Sequence, residues 1–138
     1  MSPTSVKLLR DCILTINAGS SSLKFALFDV HGLTCVLSGQ VEGLGSTPQI
    51  RLRNAAGQSV PDGSRGGAIK THAEALEQII SVIPLHCADA HIVAVGHRVV
   101  HGGIEFVAPV LIDESVASKL ATLSPLAPLH QPHNLAGI

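Results

Sequence analysis

Charge is scarce in this 138-residue sequence: 14% of residues are charged, and 9 basic against 10 acidic side chains leave a net −1 with histidines neutral. No cluster of lysine or arginine occurs, so the electrostatic footprint by which nucleic acid or an anionic membrane is recognised is missing. Cysteine is also sparse. Cys12, Cys35 and Cys87 are odd in number and far apart, so they assemble neither a disulfide framework nor a C-x-x-C metal knuckle and read as reduced, mostly buried thiols. No uninterrupted apolar run approaches the roughly 20 residues that span a bilayer. Arg10 and Asp11 interrupt the only N-terminal stretch that could pass for a signal peptide's apolar core, so a cytoplasmic protein is expected. Apolar residues, by contrast, make up 46% of the chain, enough to fill the core of one globular domain and unlike the composition of a disordered one.

Residues 1–11 form a short polar lead-in. The β-branched run Ile13-Leu14-Thr15-Ile16 then reads as a buried strand, broken at Asn17-Ala18-Gly19-Ser20-Ser21-Ser22. From Leu23 to Val30, Leu23, Phe25 and Leu27 alternate with Lys24, Ala26 and Phe28, the period of a strand with one face fully buried and the other partly so. After a turn at Asp29 to Gly32, Leu33 to Val41 reads as a third strand, and such short connections favour an antiparallel meander. Gly43 to Gly67 is rich in turn residues, with an alternating island at Gln49-Ile50-Arg51-Leu52-Arg53, and is read as a surface segment holding a short edge hairpin and little chemistry. Thr71-His72-Ala73-Glu74 matches the S/T-x-x-E capping box, and Leu76, Ile79, Ile80 and Ile83 follow at helical spacing until Pro84, which is expected to stop the helix. A strand from Ile92 to Val95, continuing through Val100, and a second helix from Asp113 to Leu123 complete the order strands, helix, strand, helix. The class is α/β.

Asn17-x-Gly19-Ser20-Ser21-Ser22-x-Lys24 is the densest polar constellation. A tight Gly/Ser turn presents backbone N–H groups and hydroxyls with an ammonium behind them, an arrangement suited to phosphate. Its place between two strands separates it from the GxxxxGK[ST] loop, and the bland alternative is a solvated hairpin tip. The second constellation is Gly96-His97-Arg98-Val99-Val100-His101-Gly102-Gly103, whose valines favour an extended backbone. Arg98 and Val100 then share one face, and His97, Val99 and His101 the other. An arginine fork beside an apolar surface suits a small carboxylate with an alkyl tail; the alternative is an arginine paired with a structural carboxylate. His97 and His101 have the i, i+4 spacing of a zinc helix, but the flanking glycines and valines argue against a helix and no third ligand is evident. His130 and His133 could be ligands, active-site donors or loop residues, and His31, His72, His86 and His91 read as surface positions.

These two stretches, Ile16 to Phe25 and Val95 to Gly103, resemble the two signatures of the acetate kinase family, and Leu126-Ala127-Pro128-Leu129-His130-x-Pro132-x-Asn134-Leu135-x-Gly137-Ile138 resembles a third motif of that family in the same order. The resemblance covers 12–138 and implies the N-terminal lobe of the actin-like ATPase (ribonuclease H-like) fold, an antiparallel β-meander followed by β/α units. It implies reversible transfer of phosphate from ATP to acetate, dependent on Mg2+, in a cytoplasmic homodimer. By the same resemblance, Asn17 lies near the phosphates and magnesium, and Ser20, Ser22 and Lys24 contact the phosphates. Arg98 holds the acetate carboxylate or the phosphoryl group in flight, Val100 and Leu129 line a methyl pocket, and His130 stands near the active site.

Gln131 departs from the family, which usually has Asn there. The family's catalytic aspartate, second active-site histidine and arginine, adenosine pocket and magnesium-binding glutamate have no counterpart in these residues, so the chain is expected to be an incomplete, N-terminal part of an acetate kinase, inactive by itself. Two alternatives stand beside that expectation. One is a propionate kinase of the same family, since one methylene in an apolar pocket discriminates by only about 1–3 kcal/mol. The other is a non-catalytic module that binds phosphate or a partner chain.

Overall fold

The apolar alternation of the first forty residues produces one sheet. A computed structural model of the chain describes residues 8–62, 69–98 and 108–121. Strands β1 (Arg10–Ala18), β2 (Leu23–Asp29), β3 (Cys35–Glu42), β4 (Gln49–Asn54) and β5 (Ser59–Val60) form an antiparallel meander. Helix α1 (His72–His86) then crosses over to β6 (Ala90–His97), which pairs in parallel with β1 and gives the order β5-β4-β3-β2-β1-β6. A second helix, α2, spans Glu114–Ala121. This is the expected α/β arrangement of an antiparallel meander followed by a β/α unit.

Every second residue of the central strands enters the core: Cys12, Leu14, Ile16 and Ala18 on β1, Leu23, Phe25 and Leu27 on β2, Leu37 and Val41 on β3, Leu52 on β4. Against this face α1 sets Ala75, Ile79, Val82 and Ile83, a stripe at helical spacing. Burying a side chain such as Ile79, 1% exposed, contributes about 2 kcal/mol, so the stripe fixes where the helix lies. The helix start is capped by Thr71 as its sequence implies, but the Glu74 carboxylate reaches past the cap to the amide before it. Thr71 Oγ1 accepts the Glu74 amide at 3.1 Å, and the Glu74 carboxylate takes the Lys70 amide at 3.1 Å.

Several boundaries differ from expectation, among them the end of β1, which runs on through Asn17 and Ala18, and the start of β6, at Ala90 instead of Ile92. Pro84 lies inside α1, which runs on to His86: in the last turn its missing N–H frees only the Ile80 carbonyl, on a solvent-facing part of the helix, and Cys87 N–H still closes on Ile83 at 2.8 Å. Strand β3 starts at Cys35 instead of Leu33, because Gly32 (φ 100°) and Leu33 (φ 56°) both take left-handed conformations and lengthen the turn. Strand β1 takes in Arg10 and Asp11. The Arg10 amide donates to the Asp89 carbonyl at 2.7 Å, and its guanidinium sits 3.5 Å from both Asp29 and Asp89. For α2, Asp113 is the capping residue, its carboxylate accepting the Val116 amide at 2.8 Å. Val99 to Val100 and Leu123, expected ends of β6 and α2, lie outside the described residues.

Gly39 is a tightly packed position of the core. It stands between Phe25 and Leu52 in the register, and a Cβ there would meet the Arg51 carbonyl at 2.5 Å, Leu52 Cδ2 at 2.6 Å and Phe25 Cε1 at 2.8 Å. Gly39→Ala is therefore expected to cost about 1–3 kcal/mol by overpacking, read as a lower urea midpoint at unchanged slope. An unshifted midpoint would show that the Arg51 backbone and the Leu52 and Phe25 side chains all yield freely.

Candidate functional site

Parallel pairing of β1 with β6 brings the carboxyl ends of both strands to one edge of the sheet, beside the start of β2. In an open α/β sheet this is the edge where ligands bind. Asn17 on β1 faces Lys24 on β2 directly across the ladder, on the side of the sheet away from α1. The Arg98 amide donates to the Ile16 carbonyl at 3.0 Å, which sets Arg98 alongside Asn17. The two constellations, some eighty residues apart in sequence, are thus neighbours. The cross-strand row continues from Lys24 through Gln40 to Arg51, and Gln40 donates its amide to the Glu42 carboxylate at 2.8 Å.

Between Ala18 and Leu23 the chain reverses in a hairpin closed by the Gly19 amide on the Ser22 carbonyl at 2.9 Å. The Ser21 carbonyl accepts the Leu44 amide at 3.0 Å, and the Gly19 carbonyl accepts from His72 Nε2. Among the described residues the Ser20 and Ser22 amides donate to nothing. A Cβ at Gly19 would stand 2.6 Å from Ser22 Oγ, so the glycine lets that hydroxyl fold over the turn. Free amides, hydroxyls and the exposed Lys24 ammonium make a donor set that fits a phosphate chain. The described residues hold no cluster of three or more His, Cys, Asp or Glu for a metal, and the neutral side-chain oxygen of Asn17 fits a magnesium ion held chiefly by phosphate and water.

Arg98 is exposed, and no carboxylate among the described residues pairs with it. Its backbone, however, is held at both ends: the carbonyl accepts from His97 Nδ1 at 2.8 Å while the amide is bound to Ile16. A carbonyl can only accept, so Nδ1 carries the hydrogen and Nε2 of the neutral ring is an acceptor. That Nε2 is buried, without a partner among the described residues.

One sequence expectation is corrected here. His72 is not a surface residue: it is half-buried in the first turn of α1 and bonded to the hairpin. Helical periodicity could not reveal this, because the contact joins residues fifty-three apart. His31, His86 and His91 are exposed as expected, although His86 bonds the Pro61 carbonyl at 2.6 Å and His91 lies 3.1 Å from Asp11. Arg51 was likewise missed, since only the register of β4 aligns it with Lys24. Val100, His101, Leu129, His130 and His133 lie outside the described residues.

Comparison with known proteins finds relatives over most of the chain. The model of the Acetokinase family matches residues 12–138. The acetate kinase of Methylocella silvestris is 42% identical over 137 residues, covering 92% of this chain and 34% of that protein. Among solved structures, Porphyromonas gingivalis acetate kinase superposes with a TM-score of 0.80 at 35% identity, over 92% of this chain and 33% of that one. A propionate kinase from Francisella tularensis subsp. tularensis SCHU S4 gives 0.78 at 30% identity, over 92% and 32%. The chain spans about a third of the length of the relatives it matches.

Burial holds the His97 pKa below the ordinary 6.5, the bond to Arg98 opposing it more weakly. The unfolded imidazole takes up a proton at 6.5 while the folded one resists, so stability is complete above 6.5 and is lost as pH falls through and below it. Between about pH 7.5 and about pH 5, wild type is expected to lose more stability than His97→Gln in urea unfolding. Equal losses would remove His97 as a source of acid sensitivity.

Proposed function

The chain belongs to the Acetokinase family, and on that premise we propose that it supplies the phosphate-binding lobe of an enzyme transferring the γ-phosphoryl group of ATP to acetate. The observation that carries this reading is the juxtaposition of Asn17, the unpartnered hairpin amides, Lys24 and Arg98 at one sheet edge. In this reading an acetate oxygen bonds to phosphorus as the bond to ADP breaks, giving acetyl phosphate. Carboxylate oxygen is already a nucleophile, so no strong base is required. Catalysis then comes from alignment and from neutralising charge on the group in transfer.

Ser20, Ser22 and the hairpin amides bind the phosphate chain, and Lys24 balances its charge. Arg98, free of protein carboxylates among the described residues, holds the acetate carboxylate or the phosphoryl group in transfer. Asn17 is the residue that would hold magnesium, which when bound would supply neutralisation of the phosphate charge. Val100, Leu129 and His130 complete the acetate side in the same proposal. The homodimer and the cytoplasmic location that the family resemblance implies belong to the same proposal. No helix among the described residues is long and apolar enough to cross a membrane.

In the intact protein, Arg98→Ala is expected to lose about 2–4 kcal/mol of transition-state stabilisation, measured as hydroxylamine-trapped acyl phosphate. Wild-type turnover by that variant would remove Arg98 from the mechanism. The likeness to a propionate kinase favours a second reading with the longer acid as substrate. The ratio of kcat/KM for acetate to that for propionate decides between them: a ratio above one supports acetate, and a ratio below one supports propionate.

A further inference from the structure

We infer that His72 is a positioning residue for phosphate binding, holding the Gly19–Ser20 peptide so that the Ser20 amide is turned toward the ligand. This role rests on the reading of the hairpin as a phosphate site. A trans peptide is planar, with its C=O and N–H pointing opposite ways, and no cis bond occurs here. The His72 ring comes from the first turn of α1 and donates Nε2–H to the Gly19 carbonyl. Drawing that carbonyl toward α1 turns the Ser20 N–H away from the helix.

The Leu44 amide does the same two peptides further on, taking the Ser21 carbonyl and turning the Ser22 N–H outward. Neither of these two amides has an acceptor among the described residues. Without such anchors either peptide could flip and present a carbonyl dipole to the anion, converting attraction into repulsion. The anchor at residue 72 is rigid because α1 is rigid. Thr71 caps the helix beside it, and Ala75, Ile79, Val82 and Ile83 seat the helix on the sheet. Core packing is thereby transmitted through one side chain to the orientation of a ligand-binding amide.

The test uses the intact protein, His72→Ala and His72→Gln, since glutamine can bring an amide N–H to the place of Nε2. ATP affinity is measured by calorimetry, the KM values for ATP and acetate by steady-state kinetics, and folding by thermal melting. His72→Ala is expected to weaken ATP binding about tenfold, the worth of one well-placed hydrogen bond, with the acetate KM unchanged. His72→Gln is expected to return affinity to within about threefold of wild type. Wild-type ATP affinity in His72→Ala overturns the role while leaving the phosphate site intact, as does a folded His72→Gln that binds no better than the alanine variant. If the alanine variant does not fold, the glutamine variant decides alone; unfolding of both would make His72 a structural residue and overturn the role. Failure of the unmodified protein to bind ATP would instead overturn the phosphate-site reading itself.

Discussion

Strand β1 is hydrogen-bonded on both sides, antiparallel to β2 and parallel to β6, and every feature of the site follows from that double pairing. The antiparallel ladder creates the Gly19–Ser22 hairpin and sets Lys24 opposite Asn17. The parallel ladder requires a crossover, which α1 supplies, and it delivers Arg98 to the same edge. Slipping β1 by one residue would send Leu14 and Ile16 to solvent and Asn17 into the core. The hydrophobic face therefore specifies the position of the polar residues as firmly as it specifies its own.

The sheet divides its work between two sides. Toward α1 lie the dry core and two imidazoles, His72 and His97, each bonded to a backbone carbonyl at the site's edge. Away from α1 lie the groups that can meet an anion. Charge is divided along the strands as well. Asp11, Asp29 and Asp89 gather at the amino end of β1 and β6, where Arg10 and His91 pair with them. At the carboxyl end Lys24, Arg51 and Arg98 form no ion pair among the described residues. Cations without ion-pair partners among the described residues can meet a phosphorylated ligand.

Much of this was legible in the residues. Alternation in Leu23 to Phe28 announced a half-buried strand, the S/T-x-x-E pattern announced the capped start of α1, and the Gly/Ser residues before Lys24 announced a tight turn between two strands. Boundaries were less legible. The left-handed conformation of Leu33 and the persistence of α1 past Pro84 depend on tertiary support that local preference does not encode. Exposure of His72 was misjudged for the same reason: its partner, Gly19, is adjacent only in space.

By itself, then, the sequence determined the α/β class, the meander, the polarity of each strand face and the residue types able to bind phosphate, because these depend on short-range periodicity and local backbone preference. Tertiary structure alone decided that Arg98 stands beside Asn17, that Arg51 lies in line with Lys24 and that His72 holds the hairpin's first carbonyl. Those decisions rest on pairing register and on the seating of α1 over the sheet. Both are set by burying side chains that are distant in the chain, and no local pattern records the distance between them.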